Sequence, residues 1–231
     1  MYQFSYLIAD LALLIIWGLF FLLRKDVRKE MLFMSVLFGI GGLLVEYIYT
    51  FDWWHPLTIT NTRVGIEDFL FGFWVAGIAT IIYEEVFKKV IYPRRSGYDR
   101  SLLSIILYCL LLFIIFCFSF FILKLNSFYS SITGYVPLIL FMWIRRHDLI
   151  LDSLASGVLL CLVGYLWFWI PELLTPDWVK NHWLWENLSG IIILKVPLED
   201  LIWSMLTGMF IGPLYEFWQG AKLKNLNKWT K

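Results

Sequence analysis

Seven apolar runs, each long enough to cross a bilayer as a helix, leave this chain little choice of fold. They cover residues 4–23, 31–50, 66–87, 101–123, 129–144, 152–171 and 198–218. In hydrocarbon every backbone N–H and C=O must find a partner within the protein, and continuous runs of this length select the helix over the barrel strand. Charged residues make up only 16% of the chain against 60% hydrophobic, and they gather between the runs. A soluble domain carries about a quarter charged. The sequence therefore predicts an all-α integral membrane protein with seven transmembrane helices. The fifth run is diluted by Ser130, Ser131, Thr133, Gly134 and Pro137, yet it aligns with the first. Trp17 precedes Arg24-Lys25-Asp26 as Trp143 precedes Arg145-Arg146-His147-Asp148. Residues 1–10 carry no basic segment, so the first run reads as a retained span and not as a signal peptide.

Lysine and arginine predict the orientation. Fifteen of them fall in the 1–2, 3–4 and 5–6 loops and the C-terminal tail, including Arg94, Arg95, Arg100, Lys228 and Lys231. Only Arg63, Lys124, Lys180 and Lys195 lie on the other side, which places the N-terminus outside and the C-terminus in the cytoplasm. A three-helix unit repeated directly would invert, and one extra span between the copies restores its direction. The chain reads as 3+1+3: a first repeat over 1–90, a linker helix within 91–128, a second parallel repeat over 129–221, and a basic tail over 222–231. The multi-pass protein is expected in a cell membrane, such as a prokaryotic inner membrane.

The copies share an acidic signature. Glu67-Asp68 is followed sixteen residues on by Tyr83-Glu84, and Glu199-Asp200 by Tyr215-Glu216 at the same interval, the copies lying 132 residues apart. Glu46 and Glu172 end helices 2 and 6, and Asp52-Trp53 parallels Asp177-Trp178. Six carboxylates (Glu46, Glu67, Asp68, Glu172, Glu199 and Asp200) are thus expected to converge near one outer depth. Acids in a helix's first turn also complement its dipole, an ordinary role that weighs most for Asp68 and Asp200. Tyr83-Glu84 and Tyr215-Glu216 lie roughly 25 Å further along at helical rise. There they are expected to pair with the basic loops. His55 and His182 read as solvated or interfacial, and Trp53, Trp54, Trp178, Trp183 and Trp185 as an interfacial belt. The stretch Ile191–Leu194 suggests a short amphipathic segment at the interface.

Other chemistries find no support. A net charge of +1 and no basic stripe give no sign of a nucleic-acid partner. Cys109, Cys117 and Cys161 lie within apolar runs without ligand spacing and read as small core hydrophobes. Gly39, Gly41 and Gly42 fall inside helix 2, where small residues permit close helix contact. No flavin, nicotinamide, other cofactor or metal is implied.

The run from Trp185 to Trp203, containing Pro197-Leu198-Glu199-Asp200-Leu201-Ile202-Trp203, resembles the signature of the small membrane-integral lycopene cyclases, Pro-x-Glu-(Glu/Asp)-x-x-Phe opening a transmembrane helix. The second copy has Trp203 where the signature has phenylalanine. The first copy, Gly65-Ile66-Glu67-Asp68-Phe69-Leu70-Phe71, has glycine where it has proline. The resemblance implies an enzyme that protonates the end of an apolar polyene drawn from the bilayer, lets the carbocation close a six-membered ring, and removes a proton. No net redox change occurs. Alkene protonation needs a neutral carboxylic acid kept from water, and a closely spaced pair in which one member is ionised and the other holds the proton supplies it. On this reading Glu67 and Glu199 donate, with Asp68, Asp200, Glu46 and Glu172 as partners or final base. Phe69, Phe71, Trp74 and Trp203 shield the cation or simply pack. A small 3+1+3 transporter, a cyclase of another isoprenoid and a non-catalytic subunit are alternatives, and a homo-oligomer is compatible with the sequence.

Overall fold

A computed structural model describes residues 4–92 and 101–225. Of the predicted cytoplasmic cations, Arg94, Arg95, Arg100, Lys228 and Lys231 lie outside the described residues. The first six helices form close to their expected places: α1 Ser5–Leu23, α2 Arg28–Asp52, α3 Ile66–Val86, α4 Leu102–Phe121, α5 Ser127–Arg145 and α6 Ile150–Leu174, the last entered through a 3-10 turn at His147–Leu149. Six helices among the described residues are long and apolar enough to cross a membrane.

The seventh expected span departs from a continuous helix. After the short α7 (Trp178–His182) the chain forms α8 over Leu198–Ile211 and α9 over Leu214–Gln219, broken at Gly212-Pro213. Proline has no N–H to continue the ladder, and its ring opposes the preceding turn. Two small strand pairs complete the described fold. β1 (Lys89–Tyr92) pairs antiparallel with β4 (Lys222–Asn225), joining the chain just after α3 to the chain just after α9. β2 (Ile192–Ile193) pairs with β3 (Val196–Pro197). The segment expected to be amphipathic is therefore a hairpin, its turn made by Leu194 and Lys195 in left-handed backbone, with Ile191–Leu194 exposed.

The two halves are packed alike. α2 lies along α3 as α6 lies along α8, and α1 meets α3 as α5 meets α8. The halves meet through α1 on α6, α2 on α5, and α3 on both α6 and α8. α3 is the hub, with Ala76, Ile78, Ala79 and Ile81 inaccessible. α4 packs on α5 and turns most of its surface outward. Exposed leucines, isoleucines and phenylalanines cover the outer faces of the long helices, as a lipid-facing surface requires.

Small residues set the closest approaches. A Cβ on Gly42 would come 2.8 Å from the carbonyl oxygen of Asp68, and one on Gly208 would come 2.5 Å from that of Ser156. Both obstacles are backbone, which cannot move aside as a side chain can. Gly208→Ala should therefore destabilise the fold by about 1–3 kcal/mol, read as a lower thermal midpoint in detergent. Gly18→Ala, at a site with no atom within 4 Å of the added methyl, should cost nothing and gain up to about 1 kcal/mol of helix propensity.

Candidate active site

A cavity of about 340 Å³ lies between the two repeats, with walls from α1, α2, α3, α4, α5, α6 and α8. That volume is typical of a small-molecule site. Three carboxylates line it: Glu46 from the end of α2, Asp68 from the first turn of α3, and Asp200 from the first turn of α8. One shared cavity thus holds acids from both repeats.

The two helix starts explain how each aspartate is held. Gly65 caps α3 in extended backbone, and its N–H donates to Asp68 Oδ2 at 2.7 Å, the reciprocal half of a capping box. Asp68 Oδ1 accepts from the Tyr6 hydroxyl at 2.9 Å. At the matching place α8 is capped by Pro197, which has no N–H to give. Asp200 instead accepts from the Trp183 indole, Nε1 to Oδ2 2.8 Å. The glycine-for-proline difference thus gives Asp68 a backbone donor that Asp200 lacks.

The neighbouring glutamates turn elsewhere. Glu67 Oε1 accepts the Ile59 N–H at 2.6 Å, and Glu199 Oε1 accepts the Ser189 N–H at 2.6 Å. Neither lines the cavity. Each pins the loop before its helix, and each keeps a buried second oxygen without a partner. Glu46 and Glu172, equivalent in sequence, also part ways. Glu46 faces the cavity with Oε1 unpaired. Glu172 accepts the N–H groups of Asp177 and Val179, both at 3.2 Å, and lies 3.6 Å from Lys195 Nζ. The six predicted acids share one end of the bundle, but only three face the same space.

Aromatic rings form the rest of that end. Phe71 stacks on Trp203 with centroids 5.9 Å apart and lies 5.0 Å from Trp167. The Trp203 indole donates to the Tyr49 hydroxyl at 3.0 Å. Of the four predicted rings, Phe71 and Trp203 line the cavity, whereas Phe69 and Trp74 pack against Phe73 and stay outside it. The predicted tryptophan belt is mostly core: Trp53, Trp54, Trp178 and Trp183 are buried, and only Trp185 is partly exposed. Tertiary closure of the loops pulls them in. His55 N–H donates to the His182 carbonyl, and Leu184 N–H to that of Trp53. His182 is buried with them, contrary to a solvated reading, its Nδ1 2.7 Å from the Trp178 carbonyl oxygen.

Two further residues bear on this end. Tyr6, which carries no signal in the sequence, is buried and bonds Asp68. Asp10, legible in the sequence as an acid of the first helix with no counterpart in the fifth, is wholly buried, accepts from the Trp167 indole at 3.1 Å and keeps Oδ2 unpaired. At the opposite end, the expected pairing of Glu84 and Glu216 with basic loops is not seen among the described residues: both are wholly buried, and no described cation is ion-paired with either. Glu85, one residue on, takes the ion pairs instead, with Arg24 and Lys88.

The rest of the lining is mostly apolar, with Ser131, Ser204, Thr207 and the hydroxyls of Tyr6, Tyr49 and Tyr135 among its other polar groups, and its exposed members are Ile40 and Leu44 on α2 and Ile106 and Leu110 on α4. These four set the accessible rim of the cavity on the outward faces of α2 and α4.

A profile described as lycopene cyclase matches residues 2–86 and 126–218, well over half of the chain and in two segments that coincide with the repeats. The chain belongs to the lycopene cyclase family. That membership supports a carotenoid cyclase-like function in a membrane. No curated protein and no solved structure matches it.

The loop-pinning bonds have a measurable worth. Glu199→Ala leaves the part-buried Ser189 N–H without its acceptor and should cost about 1–3 kcal/mol, lowering the thermal midpoint. Glu199→Gln keeps an acceptor oxygen and should lose less.

Proposed function

We propose that this chain cyclises the end of a linear carotenoid or related polyene inside the membrane, without redox change. The observation that carries the reading is a mostly apolar cavity lined together by Glu46, Asp68 and Asp200 and by the rings of Phe71, Trp167 and Trp203.

The chain enters between α2 and α4 and its terminal double bond reaches the acids. One carboxyl group transfers its proton to the alkene carbon, leaving a tertiary carbocation. The next double bond of the polyene attacks that carbon, closing the six-membered ring and moving the positive charge along. A carboxylate then takes a proton from the carbon adjacent to the cation, forming the ring alkene. One proton enters and one leaves. The faces of Phe71, Trp203 and Trp167 stabilise the cation in a space that excludes water.

Position favours Asp68 and Asp200 as the proton-handling groups, with Glu46 beside them, because Glu67 and Glu199 bond the loops and do not line the cavity. Glu67, Glu199 and Glu172 then act by position, holding the loops that close the site. In this arrangement the acid end faces the outside, and the basic loops lie in the cytoplasm.

The transporter alternative calls for helices interrupted in both halves. Here only the second repeat is broken, at Gly212-Pro213, while α3 runs unbroken from Ile66 to Val86.

Expression in a bacterium that accumulates lycopene should yield ring-bearing pigments; unchanged lycopene beside well-inserted protein would exclude lycopene as substrate. Asp68→Asn and Asp200→Asn should each lower ring formation about 10²–10⁴-fold, the usual range for losing a general acid or base. Glu67→Gln and Glu199→Gln should keep a larger share of it. The reverse ranking, in variants of equal membrane abundance, would return the donor role to the glutamates.

A further inference from the structure

At the other end of the bundle, carboxylates from separate helices converge, and among the described residues none of them is in an ion pair. Glu84 in the last turn of α3, Asp152 in the first turn of α6 and Glu216 in α9 bring ligand oxygens within 4.8 Å of one another. Their residue exposures are 0%, 2% and 0%. Among the described residues no donor group reaches either oxygen of Glu84 or Glu216 or Oδ2 of Asp152, and the Glu84 and Glu216 carboxyls lie close enough to share a proton; Asp152 Oδ1 is 3.1 Å from Ser156 Oγ. Glu30 on α2, also buried and with Oε1 unpaired, interacts electrostatically with all three.

Among the described residues the nearby guanidinium groups hydrogen-bond other partners, and Arg24 acts on Glu30 and Glu84 only through longer-range attraction. Arg24 binds Asp26, Glu85 and the Lys89 carbonyl. Arg146 binds Asp148 and the backbone carbonyls of Glu216 and Ala221. Buried carboxylates this close repel one another, and burying an unpaired charge costs far more than any one packing contact returns. Oxygen donors alone, mostly carboxylate, suit a hard cation and not a soft one. Two oxygens on opposite sides of a calcium ion stand about 4.8 Å apart, twice a bond of about 2.4 Å, so the observed spread fits a shared ion.

The geometry points to a binding site for one hard divalent cation, of the calcium, magnesium or manganese kind, formed by Glu84, Asp152 and Glu216 with Glu30 alongside. Glu84 belongs to the first repeat and the other two ligands to the second, so the ion cross-links the halves. It would do so just before the β1–β4 ribbon, which starts five residues after Glu84 and six after Glu216. The site is structural and lies at the opposite end of the helices from the cavity acids, so it stands or falls apart from the cyclase reading.

The test uses the purified full chain in detergent, stripped with a chelator and then titrated with Mn²⁺ followed by electron paramagnetic resonance. Thermal unfolding is measured in Mn²⁺, Ca²⁺ and Mg²⁺. One tight ion per chain is expected, with a thermal midpoint raised by about 5–10 °C once the cation reaches roughly a hundredfold its dissociation constant. Glu84→Gln and Glu216→Gln should lose both the ion and the rise while unfolding, without metal, no lower than the stripped parent. Glu172→Gln, at the opposite end, should keep both. A parent chain that binds no stoichiometric ion, and whose midpoint ignores all three cations, would overturn the site whatever the variants do. Glutamine variants that still bind one ion with unchanged affinity would overturn it as well.

Discussion

Carboxylates removed from water without a matching cation govern how this molecule is put together. Among the described residues ten acidic side chains are buried, and Arg146 is the one buried arginine or lysine. Ion pairing therefore cannot be the general answer, and the protein must satisfy its acids in other ways. At one end it does so with backbone N–H groups and indoles: Glu67, Glu172 and Glu199 hold loops, while Asp10 and Asp200 take tryptophan donors. At the other end no such donors reach Glu84 or Glu216. The same residue type thus marks two sites of different character, separated by the length of the helices.

The duplicated architecture makes the differences between halves informative. Helix packing repeats faithfully, yet Gly65 and Pro197 give the two aspartates unlike partners, and Glu46 and Glu172 occupy unlike surroundings. A symmetric frame thereby encloses an asymmetric chamber. On the proposed chemistry, a site that gives a proton and takes one back gains from acids that are not interchangeable, since groups in different surroundings hold their protons with different strength.

Much of this architecture was legible in the chain. The apolar runs located the six long helices to within a few residues, and the spacing of the acidic signature pointed to two similar halves, whose helices do pack alike. What escaped was decided by contacts between distant segments. Nothing local distinguishes Tyr6 from an ordinary interfacial tyrosine, and its role rests on meeting Asp68 across sixty-two positions. Trp53, Trp54 and Trp183 have the composition of a membrane-surface belt, and only the pairing of two loops folds them inward. Glu84 stands beside Glu85, and sequence could not say which would meet the arginine and which would turn into the core. The proline at 213 was visible, but a helix containing Pro137 or Pro171 continues in this same protein, so its effect depended on Gly212 and the packing around it.

The accessible rim on α2 and α4 has a consequence for a long, two-ended molecule. Every exposed residue of the chamber lies at that one rim, so on the proposed chemistry a product retreats by the way it came. A molecule with two alike termini would have to withdraw, diffuse and turn within the lipid before presenting the second one. Half-reacted material would then mix freely with the membrane pool, and its abundance would track how crowded that pool is with untouched chains.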